Sequence, residues 1–229
     1  MIRVTENLRK IRDLLSEAAV DAGRDPESVD LVAVSKKQPL ERLHAAIAAG
    51  HRDFGENQVL EGVRKIELIA DDTLTWHFIG HLQTNKTRAV AEHFHWVHSV
   101  DRFKTARRLS EQRPDELGEL NVCLQVNVDA EDSKTGVSTD SLIDLAGQVV
   151  ELPRIRLRGL MCLPMIRTGF EAQREPFARL RELAERLRTQ GIDTDTLSMG
   201  MSDDFRAAIF EGATIVRIGT AVFGPRMTP

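Results

Sequence analysis

The stretch Leu31-Val32-Ala33-Val34-Ser35-Lys36 is a short apolar, β-branched run that ends on a lysine, and Pro39 closes it three residues later. Such a run reads as a buried strand that delivers an amine to the rim of a sheet. At the end of a dry strand the charged form of a lysine loses solvation, so the Lys36 pKa is expected to fall. The neutral amine is the form that condenses with an aldehyde. A solvated lysine capping a strand reads the same from this stretch alone, and the rest of the chain decides between the two.

Outward from it, short apolar runs alternate with helical patterns. The runs lie at 31–35, 53–54, 76–79, 96–99, 122–128, 155–161, 196–199 and 214–218. Helical segments are expected over 40–49, 59–69, 86–93, 102–112, 141–150, 175–189 and 203–211. Phe177, Leu180, Leu183, Ala184 and Leu187 give the clearest stripe of period 3.6. A further amphipathic helix, from Val4 to about residue 22, precedes the first strand, with Leu8, Ile11, Leu15 and Ala18 on one face. Strands alternating with helices at this spacing predict a parallel sheet with helical crossovers. Eight units in 229 residues predict an α/β fold with a single (β/α)8 TIM-type barrel and an extra N-terminal helix. A doubly wound open sheet would normally carry a Gly-rich first turn, which this chain lacks. The expected organisation is one domain over 1–229, with residues 1–25 packing on the barrel.

With 41% hydrophobic and 29% charged residues, the composition is that of a soluble globular protein. A net charge of −4 with both signs interspersed argues for neither nucleic acid nor an anionic membrane as partner. No apolar run is long enough to span a bilayer, and the first residues do not read as a signal peptide. Cys123 and Cys162 sit inside apolar strand-like runs and read as reduced core thiols, which suits a cytoplasmic protein.

In a barrel of this kind active groups come from the C-terminal ends of strands, and phosphate commonly binds after the seventh and eighth. The seventh run closes as Leu197-Ser198-Met199-Gly200-Met201-Ser202-Asp203-Asp204. There Gly200 allows close backbone approach, Ser202 is placed to cap the next helix, and the free amides of a helix start favour an anion. The eighth closes as Val216-Arg217-Ile218-Gly219-Thr220, which offers amides, a hydroxyl and a strand-borne arginine. Pyridoxal 5′-phosphate (PLP) satisfies a lysine, a phosphate cradle and an arginine together, through its aldehyde, its phosphate and its pyridine nitrogen. An arginine at that nitrogen cannot accept its proton, which leaves the ring a poor electron sink.

The chain also resembles the pyridoxal phosphate homeostasis proteins, whose barrel is similar to the N-terminal domain of alanine racemase. The matching motifs run from Ala33-Val34-Ser35-Lys36 through Phe54-Gly55-Glu56-Asn57, Trp76-His77-Phe78-Ile79-Gly80-His81-Leu82-Gln83 with Asn85-Lys86, and His98-Ser99-Val100-Asp101. They continue through Gln125-Val126-Asn127-Val128 with Ser133-Lys134 and Gly136, Gly159-Leu160-Met161, the 197–203 segment, and Arg217-Ile218-Gly219-Thr220 with Phe223-Gly224. The resemblance implies a fold-type III PLP-binding barrel with Lys36 as the Schiff-base lysine and Arg217 beside the pyridine nitrogen. It implies Ser202, Gly219 and Thr220 on the phosphate with Gly200 in the same turn, and Asn57 and Met199 lining the ring pocket. Lys134 matches a family lysine of the strand-five loop, near the entrance. Lys37 is a departure, where relatives often carry threonine; strand neighbours point to opposite sides, which keeps Lys36 as the choice.

The resemblance implies a PLP carrier or buffer in vitamin B6 homeostasis, with PLP-dependent apo-enzymes as receivers. No residue is nominated as catalytic. Alanine racemase draws a second acid/base tyrosine from another domain, whereas this chain ends at Pro229 just after the barrel and contains no tyrosine. The expected state is a monomer. Two enzyme alternatives stand beside it: a PLP-dependent racemase or transaminase-like enzyme of low activity, and a cofactor-free Schiff-base aldolase using Lys36 with Lys134 and Glu56. Five histidines cluster at His77, His81, His93, His95 and His98, but their placement and the lack of acidic ligands at later strand ends argue against a metal site. His77 and His81 are expected at the rim of strand three.

Overall fold

The computed structural model describes residues 3–130 and 135–225. Eight parallel strands close on themselves in sequence order: β1 (Asp30–Val34), β2 (Asp53–Glu56), β3 (Thr75–Phe78), β4 (Trp96–Val100), β5 (Leu120–Gln125), β6 (Ile155–Met161), β7 (Thr196–Ser198) and β8 (Ile215–Ile218). Helices α1 (Val4–Asp21), α2 (Leu40–Ala48), α3 (Val59–Ile69), α4 (Thr87–His93), α5 (Phe103–Gln112), α6 (Leu142–Val150), α7 (Phe170–Thr189), α8 (Phe205–Phe210) and α9 (Thr220–Phe223) surround them. This is the (β/α)8 barrel with one helix in front.

The strands form where the apolar runs allow burial on both faces, as parallel strands covered by helices require. Val32, Ala33, Phe54, Phe78, Val97, Val122, Leu124, Leu160, Val216 and Ile218 are all sealed from water. Closure pairs β8 with β1 in a register that sets Ala33 opposite Ile218. The residues that follow, the Lys36 turn and Gly219-Thr220, therefore emerge side by side at the rim. α1 packs over this seam against α2, α8 and α9, and its Asn7 side chain donates to the Val222 carbonyl at 3.0 Å.

Of the boundaries that differ from the expected ones, three bear on the site. The fifth strand ends at Gln125 rather than 128 because Val126 pairs with Val137 of its own loop, where Gly136 (φ 130°) leaves room for the Asn127 amide. α7 begins at Phe170, upstream of Pro176, which is buried within the helix. Near it, the Gln173 side chain ties the start of the helix to the Arg167 and Asp203 carbonyls. α8 begins at Phe205, so Asp204 rather than Ser202 occupies its N-cap position, and the Asp204 carboxylate accepts from the Met201 amide at 2.6 Å.

Candidate functional site

β1 stops at Val34, one residue earlier than expected, and Ser35, Lys36 and Lys37 form a turn above it. The turn is tied down from below. Ser35 Oγ donates to Glu56 Oε1 at 2.6 Å, and Lys65 Nζ donates to the Ser35 carbonyl, Glu56 Oε1 and Glu61 Oε1, each at 2.7 Å. Glu61 Oε1 also accepts from the Lys37 amide at 2.6 Å. Lys37 takes a left-handed conformation (φ 57°) with its side chain in solvent, whereas half-buried Lys36 lines the cavity. Turn geometry, not strand alternation, separates the two lysines.

Across the seam, the end of β7 folds back as Gly200, with φ 96° and its carbonyl accepting from the Arg217 amide at 3.0 Å. A Cβ at Gly200 would meet Ala208 Cβ at 2.7 Å, so this glycine packs the turn against α8. After β8, Val222 and Phe223 donate to the Gly219 carbonyl, and the amides of Thr220 and Ala221 open α9. A Cβ at Gly219 would press on the Val34 carbonyl at 3.2 Å, so only glycine fits easily between the two strand ends.

These ends enclose a cavity of about 880 Å³ at the C-terminal mouth of the barrel. Lys36, Asn57, Ser202, Arg217, Gly219 and Thr220 line it together. Met199 and Gly200 do not line it: Met199 is fully buried in the core, and Gly200 shapes the turn. Asn57 is set by Gly80, whose hydrogen faces the Asn57 carbonyl where a Cβ would overlap it. Arg217 is buried, which pulls its guanidinium pKa down from the usual value. It donates from Nη1 to Ser198 Oγ at 2.7 Å and from Nη2 to the Cys162 carbonyl at 3.0 Å.

Other groups here escaped the sequence reading. Gln125, Thr135 and Asp203 also line the cavity, while His81 lines it at the rim position expected of it. Lys65 had a signal: with Val59 and Gly62 it falls on the buried stripe of α3, and a lysine on such a stripe needs a carboxylate beneath it. His77 is not at the rim but inside the barrel, 2.9 Å from His98. Glu56, which the aldolase alternative requires, is sealed under Ser35 and is not among the cavity-lining residues. Lys134, together with Ser133, lies outside the described residues. Among the described residues no three His, Cys, Asp or Glu side chains gather as a metal site, and no helix is long and apolar enough to cross a membrane.

The donor set suits an anionic, aldehyde-bearing ring. It holds one amine, two hydroxyls beside a glycine cradle, and one guanidinium, on different walls of a single cavity. Comparison with known proteins agrees. Residues 3–227 match the family described as alanine racemase, N-terminal domain. The pyridoxal phosphate homeostasis protein of Pseudomonas aeruginosa is 56% identical over 226 residues, which cover 99% of this chain and 97% of the relative.

The chain belongs to the pyridoxal phosphate homeostasis protein family.

Among solved structures, PipY of Synechococcus elongatus with PLP bound superposes with a TM-score of 0.84 at 36% identity, covering 96% of this chain and all of PipY. An alanine racemase of Clostridium difficile shares the fold, with a TM-score of 0.75 at 15% identity, and this chain covers 99% of itself but only 57% of that enzyme. In this chain Lys36 stands on one wall of the cavity and Ser202, Gly219 and Thr220 on another.

Proposed function

We propose that this protein binds PLP covalently but reversibly on Lys36 and serves as a cytoplasmic carrier or buffer of the cofactor in vitamin B6 homeostasis, working as a single domain. The observation that carries this reading is the single cavity that joins the Lys36 amine, the Ser202–Thr220 wall and Arg217. When bound, PLP supplies an aldehyde that condenses with a primary amine and a ring whose electron demand depends on protonation of its nitrogen. Lys36 presents the amine from a turn fixed by Ser35, Glu56 and Lys65. The Ser202 and Thr220 hydroxyls and the Gly219-Thr220 backbone are the groups that hold a phosphate. Arg217 offers N–H groups and no acceptor, so it holds a ring nitrogen in its unprotonated form.

Holding differs from catalysis in which acid/base groups reach the cavity, where His81 is the one histidine among the described lining residues. The chain contains no tyrosine. Burial pushes the Cys123 and Cys162 thiols up to about 12, out of reach of acid–base work near neutrality. His77 and His98 are committed inside the barrel. Exchange of the cofactor with PLP-dependent apo-enzymes is therefore the expected output. The test is to load the protein with PLP, remove free cofactor, and add an apo-aminotransferase. Recovery of aminotransferase activity, with no racemisation of alanine by the carrier alone, is the expected result. Retention of PLP by the carrier, or turnover of the amino acid, would contradict it.

A further inference from the structure

A hydrogen-bonded chain leads from the cavity through the barrel interior to its opposite end. Arg217 Nη1 lies 2.7 Å from Ser198 Oγ, which lies 2.7 Å from His98 Nδ1. His98 Nε2 lies 2.9 Å from His77 Nδ1, and His77 Nε2 lies 3.2 Å from Asp53 Oδ1. Arg217, Ser198, His98 and His77 are buried, whereas Asp53, the first residue of β2, keeps 40% of its side chain exposed.

With both rings neutral, the two ends set one donor order along the chain. A guanidinium only donates and a carboxylate only accepts. Ser198 therefore accepts from Arg217 and donates its own proton to His98 Nδ1. His98 carries its proton on Nε2 and donates to His77 Nδ1, and His77 carries its proton on Nε2 and donates to Asp53. Burial, with the charge of Arg217 adding to it, holds His98 well below the usual histidine range. All four links point from cation to carboxylate, so each polarises the next. Close packing alone would bury these groups without requiring a one-way donor order.

We propose that Asp53, through His77, His98 and Ser198, is a positioning residue that fixes the Arg217 guanidinium against the ring nitrogen of the bound cofactor. The inference rests on reading the cavity as a PLP site. The Ser198 hydroxyl, locked by His98, and the Cys162 carbonyl hold two nitrogens of Arg217, which fixes its plane and aims the remaining N–H groups. Cutting the relay frees the hydroxyl to rotate and loosens that aim.

The test titrates the protein with PLP and with its 1-deaza analogue, in which C–H replaces the ring nitrogen, and compares the two affinities. Asp53→Asn keeps size and an acceptor oxygen but removes the charge, at a half-exposed position that spares the core. Ser198→Ala removes the link next to Arg217. Wild type should prefer PLP. The preference should fall severalfold in Asp53→Asn and vanish in Ser198→Ala, with affinity for the analogue held at its wild-type value. Equal weakening of both compounds would reduce the relay to packing and overturn the proposal, as would an unchanged preference in Asp53→Asn. Wild-type protein that takes up neither compound would overturn the PLP reading itself, an outcome distinct from PLP binding that is indifferent to the relay.

Discussion

Lys65 Nζ stands 2.7 Å from Glu56 Oε1, and both side chains are almost completely sealed from water beneath the turn that carries Lys36. The same ammonium holds the Ser35 carbonyl, and the Glu56 carboxylate holds the Ser35 hydroxyl. Burial pushes the Glu56 carboxyl up, while Lys65 and Ser35 pull it down. The pair therefore acts less as a source of stability than as a fixed floor for the turn, since a buried ion pair roughly balances its own desolvation.

Breaking it is another matter. Lys65→Met leaves Glu56 buried without its cation and should destabilise the fold by about 3–5 kcal/mol, read from urea unfolding at neutral pH. A variant as stable as wild type would remove the ion pair from this account.

The architecture was legible because parallel strands buried on both faces announce themselves as apolar runs, and the Lys36 strand was plain for that reason. Of the residues joined at the cavity, Lys36, Ser202, Arg217, Gly219 and Thr220 were legible because strand ends and glycines mark the rim, whereas Asn57 rested on the resemblance alone. Lys65 and the Asp53–His77–His98–Ser198 relay were not read. Their partners lie on different strands or helices, and only barrel closure brings Ser198 and His98, 100 residues apart, within 2.7 Å. Met199 was placed in the pocket by resemblance, yet its side chain faces the core, because a strand end offers alternate residues to opposite sides.

Acid should weaken the fold through His51. This ring is buried, its Nδ1 accepts from Arg12 at 3.4 Å, and its Nε2 donates to the Asp53 carbonyl at 2.7 Å. Burial pushes its pKa down from 6.5 to about 4. Between those values the unfolded chain binds a proton that the folded one refuses, so stability falls as pH falls through this window. The loss attributable to His51 is roughly 3 kcal/mol. Urea midpoints measured across the window should show the slope, and His51→Gln should flatten it.

Both cysteines are buried, with thiols pushed up to about 12. A chromogenic disulfide reagent at neutral pH should find no fast thiol in the folded protein and both thiols once urea unfolds it. One rapid thiol in the native state would contradict their burial.

The phosphate wall can be separated from the rest of the cavity with two ligands. Ser202→Ala with Thr220→Val removes two hydroxyls beside Gly219 and should weaken PLP by about tenfold or more, the scale of hydrogen bonds to a charged group. Affinity for pyridoxal, which has no phosphate, should stay unchanged. Equal losses for both ligands would place the phosphate elsewhere.

Borohydride fixation asks directly whether Lys36 carries the cofactor. Wild-type protein and Lys36→Ala would each be incubated with PLP, reduced, digested and mapped by mass. Wild type should show a visible absorption band that borohydride abolishes, with the fixed adduct on Lys36, and the variant neither band nor adduct at that position. An adduct on exposed Lys37 instead, or a wild-type protein that stays colourless with PLP, would contradict covalent binding on Lys36.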